Sequence, residues 1–133
     1  MIFPLPFHLK VGLWGERQAE NFLVRKGYNI LSRRFRVSAR DELDLVARDG
    51  ETLVFVEVKT RKTEFFGRPI AAVDRNKRHC LSRAAVRYLQ KLSCPVTFRF
   101  DVVEVVGEKG CEAPTIRHIE SAFTLDRCYM LPW

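Results

Sequence analysis

The chain has 133 residues, of which 47% are hydrophobic, and these values predict one globular domain with its own core and exclude a disordered tail. The formal net charge of +7 favours a polyanionic partner, nucleic acid before a membrane surface. The apolar N-terminal stretch is interrupted by Pro4 and Pro6, so it is a poor signal peptide and too short to span a membrane. The four cysteines lack C-x-x-C spacing and are predicted to be reduced and structural, which favours a cytoplasmic protein.

Hydrophobic periodicity predicts two helices and five strands. The first helix is predicted at residues 12–26, with Gly27 as its C-terminal cap. The second is predicted at residues 75–91, with Asp74 as its N-cap. The strands are predicted at residues 28–37, 43–48, 53–60, 96–106 and 115–120. The C-terminal tail, residues 121–133, carries no pattern that assigns an element.

This succession of elements predicts an α/β sandwich, with a central mixed sheet flanked by helices. A single domain is expected over residues 1–133, with its core at about 12–106 and a C-terminal extension at 107–133. The dipeptide Asp49-Gly50 lies between two apolar runs, which predicts a hairpin between the second and third strands.

The hairpin carries the residues that indicate chemistry. Residues 53–58 are apolar on both faces apart from Glu57, and a carboxylate in a buried strand is costly unless it is paired. If residues 49–52 form the turn, Asp44 faces Glu57, whereas an odd-length loop would separate the two. Opposed carboxylates need a cation between them, which Lys59 on the same face and Mg²⁺ or Mn²⁺ would supply.

Two carboxylates, a metal ion and an ammonium group suit phosphodiester hydrolysis. The metal would polarise the phosphate and acidify a water, and Lys59 would orient that water and screen the developing charge. The sequence therefore predicts Asp44, Glu57 and Lys59 as catalytic residues. In the alternative, Asp44 and Glu57 have no catalytic role: they cap the ends of the hairpin and form ion pairs with Lys59 and Arg48. Glu42 alternates with Asp44 and could replace it as a ligand.

Charge is unevenly distributed along the chain. Residues 1–40 carry a net charge of +6, residues 41–60 carry −4 and residues 61–91 carry +7, as expected of a cation site within a phosphate-binding surface. The candidate nucleic-acid contacts are Arg33, Arg34, Arg36, Arg40, Arg61, Lys62, Lys77 and Arg78. The basic run of the second helix could equally be its solvated face. The aromatic residues that could stack on bases or belong to the core are Phe35, Phe65 and Phe66.

Four segments carry a family resemblance: GERQAENFLVRKGY, ELDLVARDGETLVFVEVKTR, FGRPIAAVDRNKR and RFDVVEV. Over residues 12–105 the chain resembles the YraN-type family of small bacterial proteins, which in turn resembles the PD-(D/E)xK nucleases and particularly the Holliday-junction resolvases. The resemblance implies a restriction-endonuclease-like fold, metal-dependent cleavage of DNA, branched DNA as a candidate substrate, and a homodimer. The alternative function is a non-catalytic nucleic-acid-binding protein that retains the fold, and a third option is a small basic protein associated with RNA or the ribosome.

The resemblance assigns metal binding to Asp44 and Glu57, with the backbone carbonyl of Val58 as a further ligand. Glu16 matches an additional acidic residue of the resolvases, although it could also be an ordinary solvated helix residue. Asp101 interrupts an apolar strand and is expected either to support Lys59 or Arg99 from outside the site or to be a paired buried charge.

Two positions depart from the usual pattern of the family. The sequence has Asp41 where the family usually has Gly and Arg34 where it usually has Asn. The first departure could alter the turn that enters the second strand, and the second could change a substrate contact. Neither departure removes a metal ligand.

Overall fold

The computed structural model describes residues 7–62 and 73–133, with side chains from residue 10 onward. The elements in chain order are α1 (Phe7–Arg25), β1 (Asn29–Arg36), β2 (Glu42–Asp49), β3 (Thr52–Arg61), α2 (Arg75–Leu89), β4 (Phe98–Val106) and β5 (Thr115–Phe123). Each corresponds to an element predicted from the sequence. Most of the loop between β3 and α2, with Phe65 and Phe66, lies outside the described residues.

The five strands form one mixed sheet in the order β1-β2-β3-β4-β5. β3 and β4 are parallel and the other neighbouring pairs are antiparallel. The parallel pair follows from the chain order, because α2 lies between β3 and β4 and a parallel connection needs a crossover. The predicted α/β sandwich is therefore confirmed, with α1 and α2 packed on the sheet.

Helix α1 begins at Phe7, five residues before its predicted start, and continues through Gly12 and Gly15 without interruption. Gly15 has a packing role at the helix–sheet contact. A Cβ added there would lie 1.8 Å from Oγ1 of Thr60 in β3, so the glycine lets α1 and β3 approach closely. Gly12 has no such contact, since a Cβ there would meet nothing within 4 Å.

The predicted helix caps are confirmed. Gly27 follows α1 with a φ of +96°, and the N–H of Tyr28 donates to the carbonyl of Leu23 at 3.0 Å. At the start of α2, the carboxylate of Asp74 accepts the N–H of Lys77 at 2.9 Å. Both ends therefore satisfy backbone groups that a helix leaves without partners.

Each face of the sheet carries an apolar cluster. Beneath α1, Leu23 packs with Val54 and Val56 of β3. Beneath α2, Leu81 packs with Phe55, which points to the opposite face from its two neighbours. β3 is therefore apolar on both faces because it is covered on both, as its sequence predicted.

The β2–β3 hairpin has its predicted register. Arg48 pairs with Leu53 and Asp49 pairs with Thr52, which leaves a two-residue loop. Gly50 opens that loop with a φ of +61°, a conformation that favours glycine in tight hairpins. An even-length connection keeps paired residues of the two strands on a common face.

The last strand, in the C-terminal extension, is longer than predicted. β5 continues to Phe123, whose ring stacks on Phe100 with centroids 4.7 Å apart. A bulge interrupts the strand at Ser121, which has a φ of +50° and donates its N–H to the carboxylate of Asp101 at 3.0 Å. This irregularity breaks the strand pattern and explains why the prediction ended at residue 120.

Candidate metal centre

Asp44 and Glu57 lie where the β2–β3 ladder ends. The last pair of the ladder joins Leu45 to Val56, and Asp44 and Glu57 are the next residues of the two strands. The carboxylate of Asp44 accepts the backbone N–H of Val58 at 2.8 Å. The side chain of Asp44 thus reaches across to β3, and the structure brings the two predicted acidic residues together.

The strand alternation is broken at Asp44. Leu43 packs in the cluster beneath α2 and Leu45 in the cluster beneath α1, although residues two apart share a face in a regular strand. In β1, Arg34 lies between the partners of Leu43 and Leu45 and has a φ of +51°. Simple alternation therefore does not place the Asp44 side chain, and its bond to the N–H of Val58 fixes it instead.

A cleft with a volume of about 480 Å³ lies between α1 and the hairpin. It contains all the residues predicted to bind a metal, and its lining is Val11, Gly12, Glu16, Asp44, Glu57, Val58, Thr60 and Lys62. The absence of a side chain at Gly12 leaves space on the α1 side. The cleft thus joins acidic groups from the helix and from both strands of the hairpin.

Asp44 and Glu57, called the acidic pair below, are close enough for their negative charges to repel each other. Burial and the neighbouring carboxylate of Glu57 raise the pKa of Asp44 well above its usual value. Glu57 itself is 4% exposed, and its Oε2 accepts no hydrogen bond from the described part of the chain. Two carboxylates this close cannot both remain charged at low cost without a cation.

Lys77 of α2 provides a cation at this pair, with its Nζ 3.4 Å from Oε2 of Glu57. Burial disfavours the charge on Lys77, but the carboxylates of Glu57 and Asp44 outweigh it and raise the lysine pKa. The sequence predicted Lys77 only as a phosphate contact. The pairing of Lys77 with Glu57 depends on how α2 packs on the sheet, and the local sequence does not predict this packing.

Lys59 lies on the same face of β3 as Glu57 by strand alternation, but it does not line the cleft. It is aligned with Glu104 of the neighbouring strand β4. Within residues 10–62 and 73–133, the side chain of Lys59 makes no hydrogen bond or ion pair. The three predicted catalytic side chains are therefore near one another along the hairpin, while only Asp44 and Glu57 share the cleft.

Glu104 is a buried carboxylate that the sequence analysis did not single out. It is 1% exposed, and its oxygens lie 3.7 Å from Arg61 and 3.6 Å from Arg117, beyond hydrogen-bonding distance. Neither oxygen has a hydrogen-bond partner among the described residues. A signal was present, because Glu104 interrupts the apolar run of β4 as Asp101 does.

Glu16 stands at the margin of the cleft. Arg34 donates two hydrogen bonds to its carboxylate, at 2.7 and 3.2 Å. Burial raises the pKa of Glu16, although Arg34 opposes the effect. Within the described part of the chain, Glu16, Asp44 and Glu57 do not form a trio with oxygens all within 4.8 Å of one another.

The other predicted basic contacts of β1 are also paired within the chain. Arg33 donates to Glu20 at 2.8 Å, and Arg36 donates to Glu42 at 2.9 Å. The carboxylate of Glu42 therefore forms an ion pair with Arg36 and does not take the place of Asp44 as a candidate metal ligand. Arg40 is exposed and belongs to a second depression next to α2.

The remaining candidate contacts differ in position. Lys62 is exposed and lines the acidic cleft. Arg61 is turned toward Glu104, and Arg78 donates to the carbonyl of Val73 at 3.0 Å. Lys62 is therefore the predicted phosphate contact that the structure places at the cleft mouth.

The two departures from the family pattern both form ion pairs. Arg34 binds Glu16, as described above. Asp41 is buried and accepts two hydrogen bonds from Arg83 of α2, at 2.8 and 2.9 Å, and this pairing lowers the aspartate pKa. Asp41 thus ties the start of β2 to α2.

Asp101 is fully buried and paired, and it makes no contact with Lys59. His118 lies 2.7 Å from its carboxylate, Arg99 donates to it at 3.0 Å and the N–H of Ser121 donates to it. Burial alone would raise its pKa, but these partners outweigh burial and leave the pKa below its usual value. Of the two roles considered for Asp101, the structure shows a paired buried charge.

All four cysteines are free, with Cys80 and Cys111 partly buried and Cys94 and Cys128 exposed. Phe35 packs edge-on against Tyr88, with ring centroids 5.2 Å apart, as expected of a core residue. No helix in the described ranges has the length and apolar character needed to cross a membrane.

The chain matches the uncharacterised protein family UPF0102 over residues 15–105. It belongs to this family. It is 44% identical over 117 residues to a UPF0102 protein of Trichlorobacter lovleyi, which covers 86% of this chain and 91% of that protein. It is 45% identical over 120 residues to one from Geobacter sulfurreducens, with 89% and 92% covered. A UPF0102 protein of Clostridium kluyveri is 36% identical over 120 residues, with 90% and 98% covered.

The predicted membership of the YraN-type family is thereby confirmed. The UPF0102 segment includes every residue that the sequence analysis assigned to the site, from Glu16 to Asp101. The names of these relatives assign no activity, so the chemistry of this UPF0102 protein has to be argued from its own residues.

Proposed function

We propose that this UPF0102 protein is a metal-dependent endonuclease that hydrolyses phosphodiester bonds in DNA, with branched DNA as a candidate substrate. The observation that carries the proposal is the contact between Asp44 and Glu57 in a cleft, where one buried oxygen of Glu57 accepts no hydrogen bond from the described residues. Exposed Lys62 at the same cleft supplies positive charge for a phosphate backbone.

A hard divalent cation fits this donor set. Mg²⁺ and Mn²⁺ prefer carboxylate and carbonyl oxygens, and Asp44, Glu57 and the carbonyl of Val58 offer these groups, with Glu16 at the margin. The raised pKa of Asp44 means that, without such an ion, the pair tends to hold a proton. When bound, the ion polarises the phosphate and lowers the pKa of a water ligand.

The residues around the pair hold and screen charge. Lys77 neutralises Glu57 before substrate arrives, and its ammonium group can turn toward an incoming phosphate because its side chain is 36% exposed. Lys59 lies on the same face of β3 as Glu57 but outside the cleft, so its side chain has to turn toward the bound substrate to orient the attacking water and screen the charge of the transition state. Lys62 binds the DNA backbone beside the cleft.

The ion pair between Lys77 and Glu57 also favours a second candidate function. With Glu57 already neutralised by a lysine and Lys59 outside the cleft, the acidic pair can serve the structure alone. The protein would then be a non-catalytic nucleic-acid-binding module that retains the fold.

Cleavage assays separate the two functions. A panel of linear duplex, single strand, flap, four-way junction and structured RNA is incubated with the protein and Mg²⁺ or Mn²⁺. Glu57→Gln, Asp44→Asn and Lys59→Ala are compared with Glu51→Gln, a control in the exposed hairpin turn. Cleavage that only the control variant retains supports the nuclease, and tight binding without cleavage supports the binding module.

The nuclease proposal carries two further expectations. An enzyme that acts on cellular DNA belongs in the cytoplasm, and the resemblance to resolvases implies a homodimer. Light scattering of the purified protein measures the second, and a monomer at all concentrations would contradict it.

A further inference from the structure

The C-terminal tail returns across α2 and brings a second group of metal-ligating side chains together. After β5, Leu125 packs against the cluster beneath α2, and the N–H of Asp126 donates to Oγ of Ser82 at 3.0 Å. These contacts place Asp126 and Cys128 beside His79, which α2 presents from the other side. The three residues lie outside the acidic cleft.

The three ligand atoms converge on one point. Oδ2 of Asp126 lies 3.0 Å from Nδ1 of His79, and Sγ of Cys128 lies 3.9 Å from the same nitrogen. All three atoms are within 4.8 Å of one another. The other ring nitrogen, Nε2, is 2.9 Å from the hydroxyl of Tyr129. This is the one His, Cys, Asp or Glu trio with such spacing in the described ranges.

This convergence distinguishes a metal site from a nucleophilic triad. In a triad the thiol and the carboxylate bind opposite nitrogens of the histidine, so that a proton can pass through the ring. Here both groups face Nδ1 of His79, which can share one proton with only one of them. A cation accepts all three donors at once, and Tyr129 at Nε2 would fix the ring with its Nδ1 lone pair toward the ion.

The spacing and the donor types select the metal. Tetrahedral zinc with bonds of about 2.0–2.3 Å places its ligand atoms about 3.3–3.8 Å apart, close to the distances found around His79. Imidazole and thiolate ligands favour zinc over Mg²⁺, which prefers oxygen. His79 and Asp126 keep 38% and 28% of their side-chain surfaces exposed, so an ion has access from solvent.

We propose that His79, Asp126 and Cys128 bind one zinc ion and fasten the C-terminal tail to α2. Three protein ligands leave a fourth position for water. The nearby positive charge of Arg83 does not oppose the ion strongly, because Asp41 neutralises it through two hydrogen bonds. The site is separate from the acidic cleft and does not depend on the proposed nuclease activity.

Zinc titration of the full-length, chelator-treated and reduced protein tests the site. We expect one zinc per chain, a rise in Tm, and with Co²⁺ the sulfur-to-cobalt charge-transfer absorption of a thiolate ligand. Cys128→Ser and His79→Gln should each weaken zinc binding by at least about tenfold, and Tyr129→Phe should weaken it by about tenfold through loss of the ring orientation.

Two matched controls keep the test specific. Cys94→Ser replaces another exposed cysteine and should leave zinc binding unchanged, and Glu57→Gln alters the acidic cleft and should also leave it unchanged. The proposal is overturned if wild type shows no Tm rise, if Cys128→Ser binds zinc as tightly as wild type, or if Cys94→Ser or Glu57→Gln loses binding to the same extent.

Discussion

The ammonium group of Lys77 lies 3.4 Å from Oε2 of Glu57, and this contact joins α2 to β3 at the candidate metal centre. The contact also affects cation binding, because Lys77 and a cation would occupy the same carboxylates. A divalent ion held by Glu57 and Asp44 has to share these carboxylates with a lysine charge already beside them. Lys77 therefore stabilises the protein without metal and competes with metal at the same place.

Replacement of Lys77 by Met should separate these two effects. Without divalent cations, Lys77→Met is expected to lower the free energy of unfolding by about 1–3 kcal/mol, because Glu57 loses its buried ion partner. The Mg²⁺-induced rise in Tm should be larger in this variant than in wild type, because the competing charge is gone. Thermal unfolding with and without Mg²⁺ measures both quantities.

Lys109→Met provides the matched control, since Lys109 lies in an exposed loop away from the cleft. Its stability and its response to Mg²⁺ should equal those of wild type. An equal Mg²⁺ response in Lys77→Met and wild type would show that Lys77 and the ion do not compete.

The raised pKa of Asp44 predicts how stability changes with pH. In the pH range between the usual aspartate pKa, about 4, and the raised pKa of folded Asp44, the carboxyl group is protonated in the folded state and ionised in the unfolded state. The contribution of this group to stability therefore falls as pH rises through that window. Asp44→Asn removes the titration and keeps an oxygen that can accept the N–H of Val58.

In a chelator-containing buffer, Asp44→Asn should be more stable than wild type near neutral pH, by on the order of 1 kcal/mol. The difference should shrink as pH falls toward about 4, because Asp44 is already protonated in the folded state and becomes protonated in the unfolded state near its usual pKa. Denaturant unfolding between about pH 4 and pH 8 gives the two curves. A difference that does not change over this range would mean that Asp44 titrates normally.

The hairpin shows how far local sequence determines the site. The Asp-Gly turn fixes the register of β2 and β3, and the register places Asp44 next to Glu57. Alternation alone gives the wrong account of the Asp44 side chain, because β2 changes face there and the carboxylate bonds to the N–H of Val58. The contact could be predicted, while its geometry depends on an irregularity with no clear pattern in the sequence.

Contacts between distant elements could not be predicted from local patterns. Lys77 meets Glu57, and Asp126 meets His79, only after α2 and the tail have packed on the sheet. Arg33 and Arg34 of β1 illustrate the same limit, since their acidic partners on α1 lie more than ten residues away in the chain. Charge counts along the sequence therefore overestimate the positive surface that is free to bind phosphate.

The two glycines of α1 give a matched test of the helix–sheet contact. Gly15→Ala should lower the free energy of unfolding by about 1–3 kcal/mol, because its methyl group would overlap Thr60 and push α1 away from β3. Gly12→Ala should be neutral or stabilise by up to about 1 kcal/mol, because alanine favours the helix and the methyl group meets open space. Denaturant unfolding measures both, and equal effects at the two positions would contradict the close approach at Gly15.

The position of the basic residues relative to the acidic cleft predicts which of them carry DNA affinity, because a residue that lines the cleft is next to a bound phosphate backbone. Lys62 lines the cleft, whereas Arg33 donates two hydrogen bonds to Glu20 and is neutralised by it. Lys62→Ala should therefore reduce the slope of log affinity against log salt concentration by about 0.9, the value for one lost phosphate contact on duplex DNA. Arg33→Ala should leave the slope unchanged.

Fluorescence anisotropy with a labelled duplex or four-way junction at several salt concentrations provides these slopes. The comparison removes differences in total charge, because both variants lose one positive side chain. If Arg33→Ala reduces the slope as much as Lys62→Ala, the Arg33–Glu20 pair opens on binding and β1 belongs to the DNA surface. If wild type itself shows no salt dependence, phosphate contacts do not drive binding, and the basic residues serve the intramolecular ion pairs alone.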